Sequence, residues 1–335
     1  MKQDDYDDGT TNTKLLFVVT AVMVTMALLG CIGLILAISD MNVTDDGVVF
    51  IPIHVENQTV NTTQTVNSTV ENQTVIQRSN LTMSVVDVGQ ADAILLEKDG
   101  VELLIDAGVS MKGSSVSKKN LIDYLGDREI EHVLVTHQDY DHIGNTEYVL
   151  ANYNVSAFYD NGHVHTSQTY ENLMDYVAEN DLDYSVLKTD DTLDIWEGVN
   201  VTVVSPKRLT DDVNEDSIVL LVDYDDVEIL LTGDAGVSVE STVAKLVGDI
   251  DILKVGHHGS DSASSDDFLK IIKPEISIIS VGEGNSYGHP TESVLNRLSA
   301  IGSDVYRTDV DGTIVVETDG QIGRASCRER VFPHV

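Results

Sequence analysis

Residues 136–142 read Thr136-His137-Gln138-Asp139-Tyr140-Asp141-His142, directly after the strand-like run His132-Val133-Leu134-Val135. Four metal-competent side chains, His137, Asp139, Asp141 and His142, fall where a strand ends and a loop begins. Loops at strand ends are where scaffolds build sites. Imidazole and carboxylate together suit divalent zinc, manganese or iron. The plain alternative is an acidic turn that happens to contain histidines.

Working outward, the other histidines weigh against that alternative. His257 and His258 sit in KVGHHGS and His289 in NSYGHP, Gly-rich segments that follow apolar strands. His163 and His165 lie in the turn-like YDNGHVHTS, and Asp234 closes a strand in ILLTGDAG. Separate strand ends that each deliver His or Asp are the way a scaffold assembles a polynuclear site. His54, His132 and His334 have no such setting and read as structural or exposed.

The surrounding pattern predicts an α/β domain over residues 81–320. LTMSVVDVG, AILLEKDG, VELLIDAG and HVLVTH read as strands, and so do VNVTVVSP, DSIVLLVDYDDVEILLTGDA, DILKVGHH, ISIISVG and GTIVVET. KKNLIDYLGD, HTSQTYENLMDYVAEND, STVAKLVG, DDFLKIIKP and TESVLNRLSAIG have apolar residues three and four apart, the helical spacing. Strands cluster in each half, so layering favours two sheets flanked by helices on both outer faces.

Composition narrows the partners. The chain has 335 residues, with 56 acidic against 20 basic side chains and a formal net charge of −36. Such a surface does not coat nucleic acid or an anionic membrane by neutralising phosphates. It is commoner where salt screens self-repulsion. The two cysteines, Cys31 and Cys327, exclude a disulfide scaffold and a thiolate zinc site.

The two ends read differently from the domain. Residues 1–14 form an expected cytoplasmic tail. Leu15–Ile38 carries no charge and, at about 1.5 Å per residue, makes a helix of roughly 36 Å, long enough to span a bilayer. Lys2 and Lys14 precede it and no basic residue follows before Arg78, which places the N-terminus inside and the rest outside. Residues 39–80 are an Asn/Thr-rich low-complexity stalk, expected to be disordered. Sequons at Asn42, Asn57, Asn61, Asn67, Asn72 and Asn80 mark it as glycosylated. Residues 321–335 are expected to be non-native, because IGRASCRERV (322–331) reads as a translated sequencing adapter.

The ordered motifs IDAG, THQDYDH, LTGDA, KVGHHGS and YGHP resemble the metallo-β-lactamase superfamily. More narrowly, together with VVDVGQADAILLE and VYRTDVDGTIVVET, they are similar to the extracytoplasmic hydrolase domain of the competence protein ComEC and its stand-alone relatives. The resemblance implies a four-layer αββα sandwich and two divalent ions, zinc or manganese/iron. It implies His137, Asp139, Asp141 and His142 as ligands, with Asp139 standing where the superfamily signature has a second His. Asp234 would bridge the ions and His257 or His258 would complete the second position. The remaining ligand would be His163 or His165. Asp106, in IDAG, would orient the ligand loop. Ala91 departs from the subgroup, which more often has Gly there.

The implied chemistry is hydrolysis by a metal-activated hydroxide, with Asp141 accepting a hydrogen bond from the attacking water. His289, Ser260 and Tyr287 are the substrate-side groups. The resemblance favours phosphodiester or phosphoester substrates, extracellular nucleic acid at high salt among them. The absence of Cys from the domain disfavours a β-lactamase. Two alternatives stand beside this reading: a DNA-uptake accessory protein, and a displayed binding module with a non-catalytic metal site.

Overall fold

The structure, a computed structural model, describes residues 79–109 and 116–321, and the backbone of 326–330. The expected anchor at 15–38, nearly all of the stalk and most of the tail lie outside the described residues. Among the described residues no helix is long and apolar enough to cross a membrane.

The first half runs β1 (Leu81–Val85), β2 (Ile94–Lys98), β3 (Val101–Ile105), α1 (Val116–Leu125), β4 (His132–Leu134), α2 (Tyr140–Ile143), α3 (Thr146–Asn152), β5 (Ala157–Asp160), α4 (Gln168–Glu179) and β6 (Asp183–Val186). The second runs β7 (Thr192–Leu193), β8 (Asn200–Ser205), β9 (Val219–Tyr224), β10 (Val227–Leu231), α5 (Val237–Val247), β11 (Ile252–Lys254), α6 (Asp266–Ile272), β12 (Ile276–Ile279), α7 (Glu292–Ala300), β13 (Asp304–Arg307) and α8 (Thr308–Asp311). The chain then returns to the first sheet through β14 (Thr313–Thr318) and β15 (Ser326–Arg330).

The sheet orders are β15-β14-β1-β2-β3-β4-β5-β6 and β13-β12-β11-β10-β9-β8-β7. Each sheet has an antiparallel part and a parallel part. β3, β4, β5 and β6 are parallel, as are β10, β11, β12 and β13. Parallel strands require crossovers, and helices supply most of them here. Those helices cover the outer faces.

Three apolar clusters make the layers. Leu81, Leu103, Leu134, Leu220, Ile229 and Ile252 belong to the cluster between the sheets. Leu121, Leu125, Val149 and Leu173 pack helices onto the first sheet, and Val243, Leu269, Ile272 and Leu298 do so on the second. The observed order is helix, sheet, sheet, helix. Trp196, buried in the cluster between the sheets, donates its indole N–H to the carbonyl of Val101 at 3.0 Å.

Two details differ from the strand reading. DSIVLLVDYDDVEILLTGDA is a hairpin, β9 and β10, turning at Asp225-Asp226 with Asp225 at φ 57°. Strands β5, β6, β7 and β13 are short and half-polar, so alternation did not mark them.

Candidate metal centre

Loops at the C-terminal ends of parallel-type strands meet on one rim, the usual ligand side of an α/β sheet. After β4 come His137, Asp139, Asp141 and His142; after β10 comes Asp234; after β11 the turn Gly256–Gly259 carries His257 and His258. His137, His142, Asp234 and His258 are buried, whereas Asp139 and Asp141 are partly open.

Ligand-capable atoms of His137, His142 and Asp234 lie within 4.8 Å of one another, as do those of Asp141, His142 and His258. Asp234 stands between the two groups. Its Oδ1 is 3.4 Å from His142 Nε2, and its Oδ2 is 3.6 Å from His257 Nε2 and 3.8 Å from His258 Nε2. His258 Nε2 is 3.4 Å from Asp141 Oδ2, and His137 Nε2 is 3.7 Å from Asp139 Oδ2.

The hydrogen bonds behind the rings assign their tautomers. His142 Nδ1 donates to Asp106 Oδ2 at 2.7 Å, and His258 Nδ1 donates to the Ser280 carbonyl at 2.9 Å. Thr136 Oγ1 gives its proton to Asp106 Oδ2 at 2.7 Å and so accepts from His137 Nδ1 at 3.1 Å. Each ring is thus fixed from behind, as metal-ligating histidines are. His137 Nε2, His142 Nε2, His258 Nε2 and Asp234 Oδ1 are buried without a hydrogen-bond partner. Three imidazole nitrogens and a carboxylate oxygen, unpaired and convergent, fit a divalent cation.

Electrostatics agree. Burial opposes the charged form of His142, yet Asp234 and Asp106 outweigh it and hold its pKa well above the ordinary value. Burial likewise opposes charge on His258, but Asp234, Asp92 and Asp141 lift it to about 10. Burial alone would raise the Asp234 carboxyl, but His142, His258 and His137 hold it well below the usual range. The carboxylates thus favour positive charge at the centre, which the histidine protons supply in the metal-free protein.

Strain marks the same turn. His257 and His258 adopt φ of 49° and 53°, a conformation non-glycine residues avoid and that persists mainly where surroundings impose it. The His257 amide donates to the Gly233 carbonyl at 3.2 Å, binding this turn to the one carrying Asp234.

The remaining expected residues divide. Asp106 accepts from the Thr136 amide at 2.8 Å, besides Thr136 Oγ1 and His142, so three donors converge on one carboxylate behind the ligand loop. His289 lies 5.9 Å from His257, ring to ring, and Tyr287 stacks on His289 at 5.8 Å. Ser260 Oγ is 3.0 Å from Ser262 Oγ, which is 3.0 Å from His257 Nδ1. His163 and His165 fall outside the metal-competent groups found among the described residues. His163 Nδ1 is bound to buried Asp216 at 2.9 Å, and His165 Nδ1 to Ser167 Oγ at 2.9 Å. In both rings the partner engages Nδ1 and not Nε2.

Sequence reasoning missed Asp92, Ser217 and Lys254. Ser217 Oγ takes the Asp234 amide proton at 3.1 Å and lies 3.3 Å from His137 Nδ1. Lys254 carried a readable signal, a lysine inside the apolar strand DILKVG. Asp92 and Ser217 carried none.

The metallo-beta-lactamase superfamily profile matches residues 86–283, a span that contains every ligand-bearing loop described above. The chain belongs to the metallo-beta-lactamase superfamily. Within it, Recombination protein 2 of Haemophilus influenzae is 33% identical over 235 residues, covering 69% of this chain and 28% of that protein. ComE operon protein 3 of Bacillus subtilis is 29% identical over 263 residues, covering 73% and 34%. Competence protein ComA of Neisseria gonorrhoeae is 30% identical over 245 residues, covering 71% and 32%. The chain spans roughly a third of the length of these curated relatives. The superfamily domain here is a metallo-hydrolase fold of the ComEC-like kind.

Proposed function

We propose that this chain is a membrane-anchored, extracellular, binuclear metallo-hydrolase acting on phosphodiester or other phosphoester bonds. The observation that carries the reading is the convergence of three unpaired buried imidazole nitrogens on Asp234, with Asp141 alongside. His137 and Asp139 would hold one ion, Asp141, His142 and His258 the other, with Asp234 shared. Bound divalent ions supply Lewis acidity, acidifying water and stabilising charge on a phosphoryl oxygen. Zinc, manganese and iron all suit this mixed donor set.

The chain's own residues do the rest. Asp141, partly exposed, accepts a hydrogen bond from attacking water and so orients it. Burial lowers the pKa of His289, which leaves its ring neutral at pH 7 and able to bond a substrate oxygen. Tyr140, 44% exposed on the ligand loop after β4, and Tyr287, 71% exposed between β12 and α7, offer faces on which a nucleobase stacks. Screening by molar salt offsets the repulsion between a polyanion and so acidic a chain.

The test is metal content together with hydrolysis of bis(p-nitrophenyl) phosphate by the full chain in molar salt. Two ions per chain with chelator-sensitive turnover support the reading, and DNA is the next substrate. Metal without turnover redirects the search to carboxylic esters, lactones or lactams. A folded chain that binds no metal favours a displayed binding module. Retention in carbonate-washed membranes, lost on deleting Leu15–Ile38, tests the anchor.

A second reading places the chain in DNA uptake. The competence and recombination names of its relatives favour it, and loss of transformation on gene deletion would test it.

A further inference from the structure

Lys254 is fully buried in β11, a strand whose other residues are isoleucine and leucine. Its Nζ pairs with Oδ2 of Asp92, which lies in the turn between β1 and β2 of the other sheet, 162 positions away. Desolvating two charges offsets their attraction, so a buried pair rarely stabilises a fold better than apolar side chains of equal volume. Its surroundings supply another reason for it.

Asp92 touches the loop carrying Asp141, the turn carrying Asp106 and the ring of His258. Its amide donates to the Asp141 carbonyl at 3.2 Å, and its carbonyl accepts from Gly108, in the turn that carries Asp106, at 2.8 Å. Its Oδ1 lies 3.4 Å from His258 Nδ1, is buried and has no hydrogen bond of its own. Lys254 is four residues before His258 on the same strand and turn. Next to Asp92, the Ala91 carbonyl accepts from Ser280 Oγ at 2.7 Å, and the Ser280 carbonyl takes the His258 Nδ1 proton.

We propose that Asp92, clamped by Lys254, is a positioning residue for the second metal position. It fixes the His258 ring with Nδ1 protonated towards Ser280 and Nε2 aimed at Asp141 and Asp234. A carboxylate beside Nδ1–H strengthens Nε2 as a donor, and the clamp ties the strand leading to His258 to the loop carrying Asp141. The inference rests on the metallo-hydrolase reading of the cluster and extends it to residues that no ligand touches.

The experiment uses the full chain and the metals alone. The double variant Asp92→Asn/Lys254→Met removes both charges and leaves neither buried and unpaired, so it is expected to fold with a thermal midpoint near that of the wild type. Titration with manganese or zinc is expected to show the first ion bound as in the wild type and the second weakened about 10- to 100-fold. The Co2+ absorption of the second ion is expected to shift with it. Wild-type affinity for both ions and an unchanged Co2+ spectrum in the folded variant overturn the proposal, as does a wild type that binds a single ion. Should the double variant fail to fold, Asp92→Glu keeps the clamp and displaces the carboxylate by one methylene. It is expected to weaken the second ion selectively, and unaltered binding overturns the proposal. Absence of phosphodiesterase turnover would count against the substrate alone, because the readout here is metal affinity.

Discussion

Asp106 and His142 are locked together 2.7 Å apart, Oδ2 to Nδ1, with both side chains buried beneath the ligand loop. That single contact selects the tautomer of His142 and leaves its Nε2 to face Asp234. Asp106 itself sits at φ 58°, held there by the donors that converge on it.

Replacing Asp106 by Asn leaves one acceptor oxygen for three donors and sets an amide N–H against one of them. Metal affinity is expected to fall about 10- to 100-fold, the usual effect of losing a carboxylate behind a ligating histidine. Competition with a fluorescent chelator measures it. Wild-type affinity in the variant would show that Thr136 alone orients the loop.

Stability of the metal-free protein is expected to fall with rising pH. The folded pKa of His258, about 10, lies above the unfolded value of roughly 6.5. The protonated ring therefore contributes fully below pH 6.5, and that contribution is lost as pH climbs towards 10. Metal must displace this proton, so metal affinity is expected to rise over the same window. Thermal unfolding in chelator and in excess metal separates the two: a flat chelator profile from pH 7 to 10 contradicts the expectation.

Gly259 closes the double-histidine turn at φ 82°, and a Cβ there would come within 2.5 Å of Pro290 Cβ. Gly259→Ala is expected to cost about 1–3 kcal/mol from overpacking and to weaken metal binding by moving His258. Gly248, at φ 73° with open space around it, is the comparison. Gly248→Ala is expected to leave metal binding intact. Denaturant midpoints and metal titration of both variants decide the matter.

Glu240 on α5 is a stability element outside the centre. Its carboxylate accepts from the amides of Ser264 and Ser265, just ahead of α6, where Ser265 caps Phe268. Glu240→Ala strands two donors, and a cost of about 1–3 kcal/mol is expected from each that stays buried. Urea unfolding with unchanged metal stoichiometry is the expected outcome; loss of metal as well would tie α6 to the site.

Much of this was legible in the chain because the signals are local. THQDYDH packs four donors into six positions after one strand, and KVGHHGS and LTGDA repeat the arrangement, so residue type and place sufficed to nominate His137, His142, Asp234 and the histidine pair. Periodicity sufficed for α1, α4, α5, α6 and α7, and for the longer strands. β4 and β11, though only three residues each, registered through the apolar runs around them, whereas β6 (DYSV) and β7 (TL) carry too few apolar residues to register.

What the sequence by itself determined is the inventory: the superfamily, the two-sheet layering and the side chains available at each strand end. What only the tertiary structure decided is which atoms meet. That His163 turns to Asp216, 53 positions on, and that Lys254 reaches Asp92 depends on how distant strands are ordered. The same holds for the bare Nε2 of His258, exposed to the cluster because its Nδ1 is spent on Ser280. Strand periodicity and residue type are written along the chain, whereas donor geometry arises only when desolvated groups from separate loops must satisfy one another in a common interior.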